Sequence, residues 1–163
     1  MSEIFINKAR CFGSKGVFQI EHIFDQTDPS HHPVASQQEQ VRRQTLGVEV
    51  SPVSNRNADY SQKTNLELSV PELMRLSAVF LGFSPGSEFK RPNKTLSFTR
   101  QHQRIYVAAS SPNGHAALPI DMEHSAIIGT FLLSHLAFAL NAPQEAILAS
   151  IKGAFALQRT PSS

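Results

Sequence analysis

LELSVPELMRLSAVFLGFSPGSEFKRPNKTLSF, residues 66–98, holds the change of period that decides the fold. Leu66-Glu67-Leu68 continues an alternating run over 62–69, the pattern of a strand with one buried side. At Ser69 the period switches. Ser69 and Glu72 form an S-x-x-E capping box, and Leu73, Leu76, Ser77 and Phe80 then fall at i, i+3, i+4 and i+7, on one face of a helix. Gly82 stands where a helix closes on a left-handed residue. Past Pro92 the alternation resumes at Lys94, so a capped helix sits between two strands.

Working outward, alternating runs at 4–12, 17–24 and 46–53 precede this stretch, each bounded by Gly, Pro, Asn or Ser, the mark of antiparallel strands. Runs at 94–100 (KTLSFTR), 103–110 (QRIYVAAS) and 114–120 (GHAALPI) follow it. Asp121 then caps a longer helix reaching about Leu140, and the joint AALPIDMEHSAIIGTF (116–131) repeats the plan of LELSVPELMRLSAVF (66–80). The order is strands then helix, twice. A short helix over 144–155 and a frayed tail at 156–163 complete the chain. Residues 26–45, QTDPSHHPVASQQEQVRRQT, show neither period and read as a long mobile loop between strands. The expected class is α+β, with antiparallel sheet and helices grouped to one side, in a single domain over 1–155.

The composition supports a folded domain and narrows its chemistry. Leu, Ile, Val and Phe make up 44 of 163 residues, enough to bury a core. Cys11 is the single cysteine, which excludes an internal disulfide framework and a multi-cysteine metal site and points to a reducing, cytoplasmic setting. The opening MSEIFINKAR lacks the apolar core of a secretory signal. The apolar run 126–140 is interrupted by Gly129, Thr130, Ser134 and His135 and is short for a bilayer, so no membrane span is expected.

The net charge of +2 conceals a segregation. Residues 4–20 carry Lys8, Arg10 and Lys15 without an acid, and 89–120 carry Lys90, Arg91, Lys94, Arg100 and Arg104 without an acid. Residues 121–151 reverse the sign, with Asp121, Glu123 and Glu145 and no Lys or Arg. Clustered cations attract phosphate backbones.

Strict alternation along strands assigns faces. A turn over Gly13–Gly16 sets Cys11 opposite Phe18 and Ala9 opposite Ile20, leaving Lys8, Arg10, Gln19 and Glu21 outside. A tight turn at Gln101 and His102 sets Phe98 opposite Ile105 and Leu96 opposite Val107. Thr95, Ser97, Thr99, Arg104 and Tyr106 then share the outer face. Such a face suits single-stranded nucleic acid, because bases stack on the ring for about 1–3 kcal/mol each while cations follow the phosphates. The alternative is an ordinary solvated face.

Catalytic signatures are missing: there is no H-E-x-x-H, no G-x-S-x-G, no P-loop and no Gly-rich dinucleotide turn. His31 and His32 sit together in the loop, and His124 and His135 are eleven apart, too far to share a metal. Cys11 and His22 are expected inside their strands as core residues. No catalytic residue, metal or cofactor is expected. The helix over 126–140 is apolar almost all round, so Ile128, Phe131, Leu132 and Leu136 are expected at an oligomer interface, the alternative being burial within the monomer.

Ser69, Glu72, Glu88, Phe89, Pro92, Lys94 and Leu96 together resemble the centre of the Whirly family of single-stranded DNA-binding proteins, where a strand enters a capped helix, then an E-F-F-H-D-P-like turn and a K-x-L strand. The run 105–140 is similar to that family's last two strands and long helix, and Asn7-Lys8-Ala9 matches part of its K-G-K-A-A-L motif. The resemblance spans residues 4–141, although the chain has no tryptophan where the family pattern has several. It implies two roughly perpendicular antiparallel sheets braced by helices, a homotetramer joined through the helices, and single strands bound along sheet edges. Kinetoplastid guide-RNA-binding proteins use the same fold, which keeps RNA beside DNA as the partner. The resulting expectation is non-catalytic binding of single-stranded DNA, or of RNA, by Lys8, Arg10, Lys15, Lys90, Arg91, Lys94, Arg100, Arg104 and Tyr106. A protein-interaction module without nucleic acid is the other alternative.

Overall fold

The computed structural model of the protein describes residues 8–22 and 45–156. The loop at 26–45, apart from Thr45, and the tail beyond Ala156 lie outside the described residues. Strands β1 (Lys8–Phe12), β2 (Gly16–His22), β3 (Leu46–Ser54), β4 (Asn57–Ala58) and β5 (Thr64–Leu68) form the first sheet. In it β3 is central, pairing with β2 on one side and with β4 and β5 on the other. Helix α1 (Val70–Phe80) follows, then a second sheet in which β6 (Gly86–Arg91), β7 (Lys94–Gln101), β8 (Arg104–Ser111) and β9 (Gly114–Asp121) run as an antiparallel meander. Helix α2 (Met122–Ala139) follows, and α3 (Gln144–Ala156) turns away from it by 106°. The doubled plan of strands then helix is therefore present. No single helix among the described residues is long and apolar enough to cross a membrane.

Local chemistry sets the element ends. The Ser69 hydroxyl accepts the Glu72 N–H at 3.4 Å while Glu72 Oε1 accepts the Ser69 N–H at 3.2 Å, so the capping box forms as expected. Gly82, at φ +87°, ends α1: its N–H reaches Val79 O at 3.2 Å and the Phe83 N–H reaches Ala78 O at 2.8 Å. Asn141, at φ 52°, repeats that closure on α2, with its N–H at 3.3 Å from Phe138 O and the Ala142 N–H at 2.9 Å from Ala137 O. Between β3 and β4 the two turn residues Asn55 and Arg56 both have positive φ, the hairpin turn whose twist matches its strands.

One core draws on both sheets and all of these helices. Phe18 of β2 lies 6.4 Å from Phe80 of α1 and 5.8 Å, edge to face, from Phe98 of β7, which also meets Phe89 of β6 at 6.1 Å. Edge-to-face rings add to the apolar area they bury, and truncating any one of them to alanine would cost roughly 3–5 kcal/mol. The two sheets meet where β2 and β3 pass beside β9. A Cβ on Gly16 would stand 2.9 Å from Ala117 O, so only glycine admits that approach.

Three expectations are corrected. In the second hairpin Phe98 pairs with Val107, Leu96 with Ala109 and Arg100 with Ile105, so the turn residues are His102 and Gln103. The turn moves by one residue and the partners by two, which preserves every side chain's face. Strands β4 and β6 were not expected; β6 buries only Phe89 deeply, so its alternation is faint. Finally, Ile128, Phe131, Leu132 and Leu136 face the interior of the chain, because α1, α3 and the strands cover that side of α2. The outward apolar residues are instead Ile127 at 44% exposed, Leu140 at 45% and Leu148 of α3.

Candidate nucleic-acid interface

The outer face of the second sheet is built row by row from the strand register. Lys90, Thr95, Ser110 and His115 form one row, and Glu88, Ser97, Ala108 and Ala117 the next. Thr99, Tyr106 and Pro119 follow, then Gln101, Arg104 and Asp121. Small side chains in the middle rows leave a groove of about 610 Å³ floored by Ser97, Ala108 and Ala117, with Tyr106 and Pro119 along one side. Ser14 and Lys15, from the turn joining β1 and β2, line it as well. That turn is fixed in place: the Gly13 N–H donates to Gly16 O at 2.8 Å, and a Cβ on Gly13 would stand 3.1 Å from Leu118 Cβ of β9. Tyr106 is 38% exposed, so part of its ring is open to a ligand.

The cations expected at a binding surface separate into three groups. Lys15, Lys90 and Arg104 stand on or beside the grooved face. Lys15 makes no ion pair with a described residue, Lys90 meets Glu88 at 3.0 Å in an exposed pair, and Arg104 Nε donates to Gln101 Oε1 at 2.5 Å. Exposed pairs of this kind hold their partners weakly, which leaves the cation free to turn to a phosphate.

Lys8 and Arg10 lie on the outer face of the other sheet, among acids. Lys8 is in register with Glu21, and the same face carries Glu49 and Glu67, so this surface is electrically mixed. Arg10 Nε donates to Gln19 Oε1 at 2.7 Å, and its guanidinium carbon lies 5.6 Å from the Phe12 ring centre.

Arg91, Lys94 and Arg100 are turned to the chain's own acceptors. Arg91 binds both Glu72 oxygens at 3.0 Å and donates to Glu67 O at 2.7 Å and Lys90 O at 2.9 Å. Its grip holds the Glu72 carboxyl below the usual carboxylate range. Arg100 donates to Val79 O at 2.7 Å and Phe80 O at 3.4 Å, neutralising the carbonyl end of α1. Lys94 reaches across from β7 to Asn65 Oδ1 of β5 at 3.4 Å.

Ser14, Ser110, His115 and Pro119 belong to the groove and were not singled out from the sequence. The signal was the small-residue alternation Tyr106-Ala108-Ser110 and His115-Ala117-Pro119, whose low side-chain volume on one face leaves a concavity. Chemically, the arrangement offers a flat ring, hydroxyl donors and loosely held cations around a shallow floor. Among the described residues no group of three or more His, Cys, Asp or Glu could hold a metal ion.

Two antiparallel sheets, each leading into a helix, with the second helix packed on both sheets, define a Whirly-like α+β fold. Crystal structures of Trypanosoma brucei MRP1/MRP2 share it, with a TM-score of 0.54 over 80% of this chain and 83% of that chain. Sequence identity is 13%, so the likeness is one of fold. No protein-family model matches this chain, and no curated protein sequence matches it.

Proposed function

We propose that the protein binds single-stranded nucleic acid, without chemistry on it, along the grooved outer face of β7, β8 and β9. The observation that carries this is the combination of the 610 Å³ groove, its hydroxyl and small-residue floor, and Tyr106 beside it. Base stacking on an aromatic ring tolerates any sequence, and Lys15, Lys90 and Arg104 supply the phosphate contacts. The resemblance to the Whirly family favours DNA, and RNA is the alternative that the same resemblance keeps open; ring stacking and phosphate pairing are common to both.

Fluorescence anisotropy against labelled single-stranded DNA, single-stranded RNA and duplex tests the proposal together with the polymer preference. Binding to a single strand with a log–log salt slope of roughly −2 is expected for three phosphate contacts. Absence of binding to both single strands at low salt rejects it.

Assembly into a homo-oligomer, a tetramer by the family resemblance, belongs to the same proposal. The outward side chains Ile127, Leu140 and Leu148 supply the contact in place of the inward four. Light scattering at micromolar protein decides this, since a mass near 18.0 kDa is that of a monomer.

A further inference from the structure

Phe12 is 66% exposed at the end of β1, where the strand's alternation turns it away from the core. A single exposed apolar residue is ordinary. This one is not isolated, because the Arg10 guanidinium stands 5.6 Å from its ring centre. Arg10 is held there by Gln19, whose Oε1 accepts from Nε at 2.7 Å, and among the described residues it is paired to no carboxylate. The row containing Phe12 continues through Val17 and Ser51 and carries no acid. In the neighbouring row Glu49 is already paired with Lys63 at 3.2 Å.

Position gives the pair its meaning. Phe12 is two residues from Ser14 and three from Lys15, both of which line the groove. Two residues of extended chain span at most about 7 Å. The turn itself is seated on Leu118 of β9 and Lys15 O accepts the Val53 N–H at 3.0 Å, so the backbone that carries ring and lysine is anchored beside the groove.

We infer that Phe12, with Arg10 beside it, forms a second stacking position for one unpaired nucleobase, reached by a strand that leaves the groove past Lys15. This rests on the proposed nucleic-acid binding and extends the site onto the other sheet. The ring takes the flat face of the base, Arg10 contacts its edge or its phosphate, and Lys15 takes a phosphate between this position and Tyr106.

The test uses the full chain and a short oligothymidylate with one 2-aminopurine, whose fluorescence falls on stacking, placed at successive positions. In the wild type two separated positions are expected to be quenched. Phe12→Leu is expected to abolish one of them and weaken affinity about tenfold with the salt slope unchanged, whereas Phe12→Trp keeps both the quenching and the affinity. Rescue by tryptophan separates stacking from any structural role of the side chain. If the wild type binds no single strand, the functional proposal falls and this inference with it. If the wild type binds and Tyr106→Leu weakens it, yet Phe12→Leu leaves affinity and both quenched positions intact, this inference alone is overturned.

Discussion

The Arg91 guanidinium holds the Glu72 carboxylate through two contacts of 3.0 Å, tying the edge strand β6 to the first turn of α1. Glu72 is at the same time the acidic half of the capping box, accepting the Ser69 N–H. One carboxylate thus serves the helix start, the helix dipole and the docking of a strand.

Removing that link is expected to cost stability and leave binding intact. Arg91→Met or Glu72→Gln should destabilise the fold by roughly 1–2 kcal/mol, as for charge-assisted bonds at a half-buried site. Because Arg91 lowers the Glu72 pKa, the contribution is present above the ordinary carboxylate range and lost as pH falls through the folded value. Urea unfolding at pH 7 and pH 4 checks it: the wild-type advantage over Glu72→Gln should shrink at the lower pH. Affinity for a single strand should be unchanged in Arg91→Met, and a marked loss would return Arg91 to the binding surface.

His135 predicts a second acid sensitivity. It is 2% exposed in α2, its ring lies 5.0 Å from that of His22, and neither of its ring nitrogens has a hydrogen-bond partner among the described residues. Burial foremost, and then the neighbouring His22, push its pKa down from 6.5 to about 4. The unfolded chain therefore takes up a proton as pH falls below 6.5 while the folded one stays neutral until about 4. Stability should decline across that window by roughly 3 kcal/mol. His135→Phe, which cannot titrate, should flatten the decline in urea melts between pH 7 and pH 4.5; an unchanged profile would assign the acid sensitivity elsewhere.

Gly16 lets β2 approach Ala117 of β9, a strand that lines the groove. A methyl group there would stand 2.9 Å from Ala117 O, in the strand that floors the groove. Gly16→Ala is expected to cost roughly 1–3 kcal/mol by forcing β2 and β9 apart. Thermal melting reads this directly, and at temperatures where the variant stays folded its single-strand affinity should also fall, because Lys15 moves with the turn.

The fold was readable wherever a residue with special backbone or capping chemistry fixed an element. Ser69 and Glu72 set the start of α1, Gly82 its end, and the glycines at 13 and 16 gave the first hairpin its register. The second hairpin turns on His102 and Gln103, neither of which demands a particular turn, so its register had no such anchor. Its outer face was readable all the same, since a shift of two positions leaves Thr95, Ser97, Thr99 and Tyr106 together. The site's charges were less legible. Lys90, Arg91 and Arg100 look equivalent in a row of cations, but only the tertiary fold brings Arg91 to the start of α1 and Arg100 to its end. A helix apolar on every side likewise gives no sign of which side faces inward. The docking of α1 and α3, with Gly129 packed 3.3 Å from Leu81 at the position a Cβ would take, decides it.

That separation of cations gives the sharpest test of where a strand lies. Lys15→Gln, Lys90→Gln and Arg104→Gln combined remove the charges bordering the groove, none of which holds the core together. The triple variant should keep its melting temperature, weaken binding to every single-stranded sequence alike, and lose most of the salt dependence, since each phosphate contact contributes roughly −0.7 to the slope for a single strand. Tyr106→Leu should behave in the opposite sense, weakening binding about tenfold while the slope stays put, because stacking releases no counterions. Arg91→Met with Arg100→Met should lower the melting temperature and leave the slope alone, since both guanidiniums are spent on α1. Anisotropy titrations at four salt concentrations, run beside thermal melts, distinguish the three patterns. A normal slope in the groove triple together with a reduced slope in the Arg91 and Arg100 pair would move the strand off the β7–β9 face altogether.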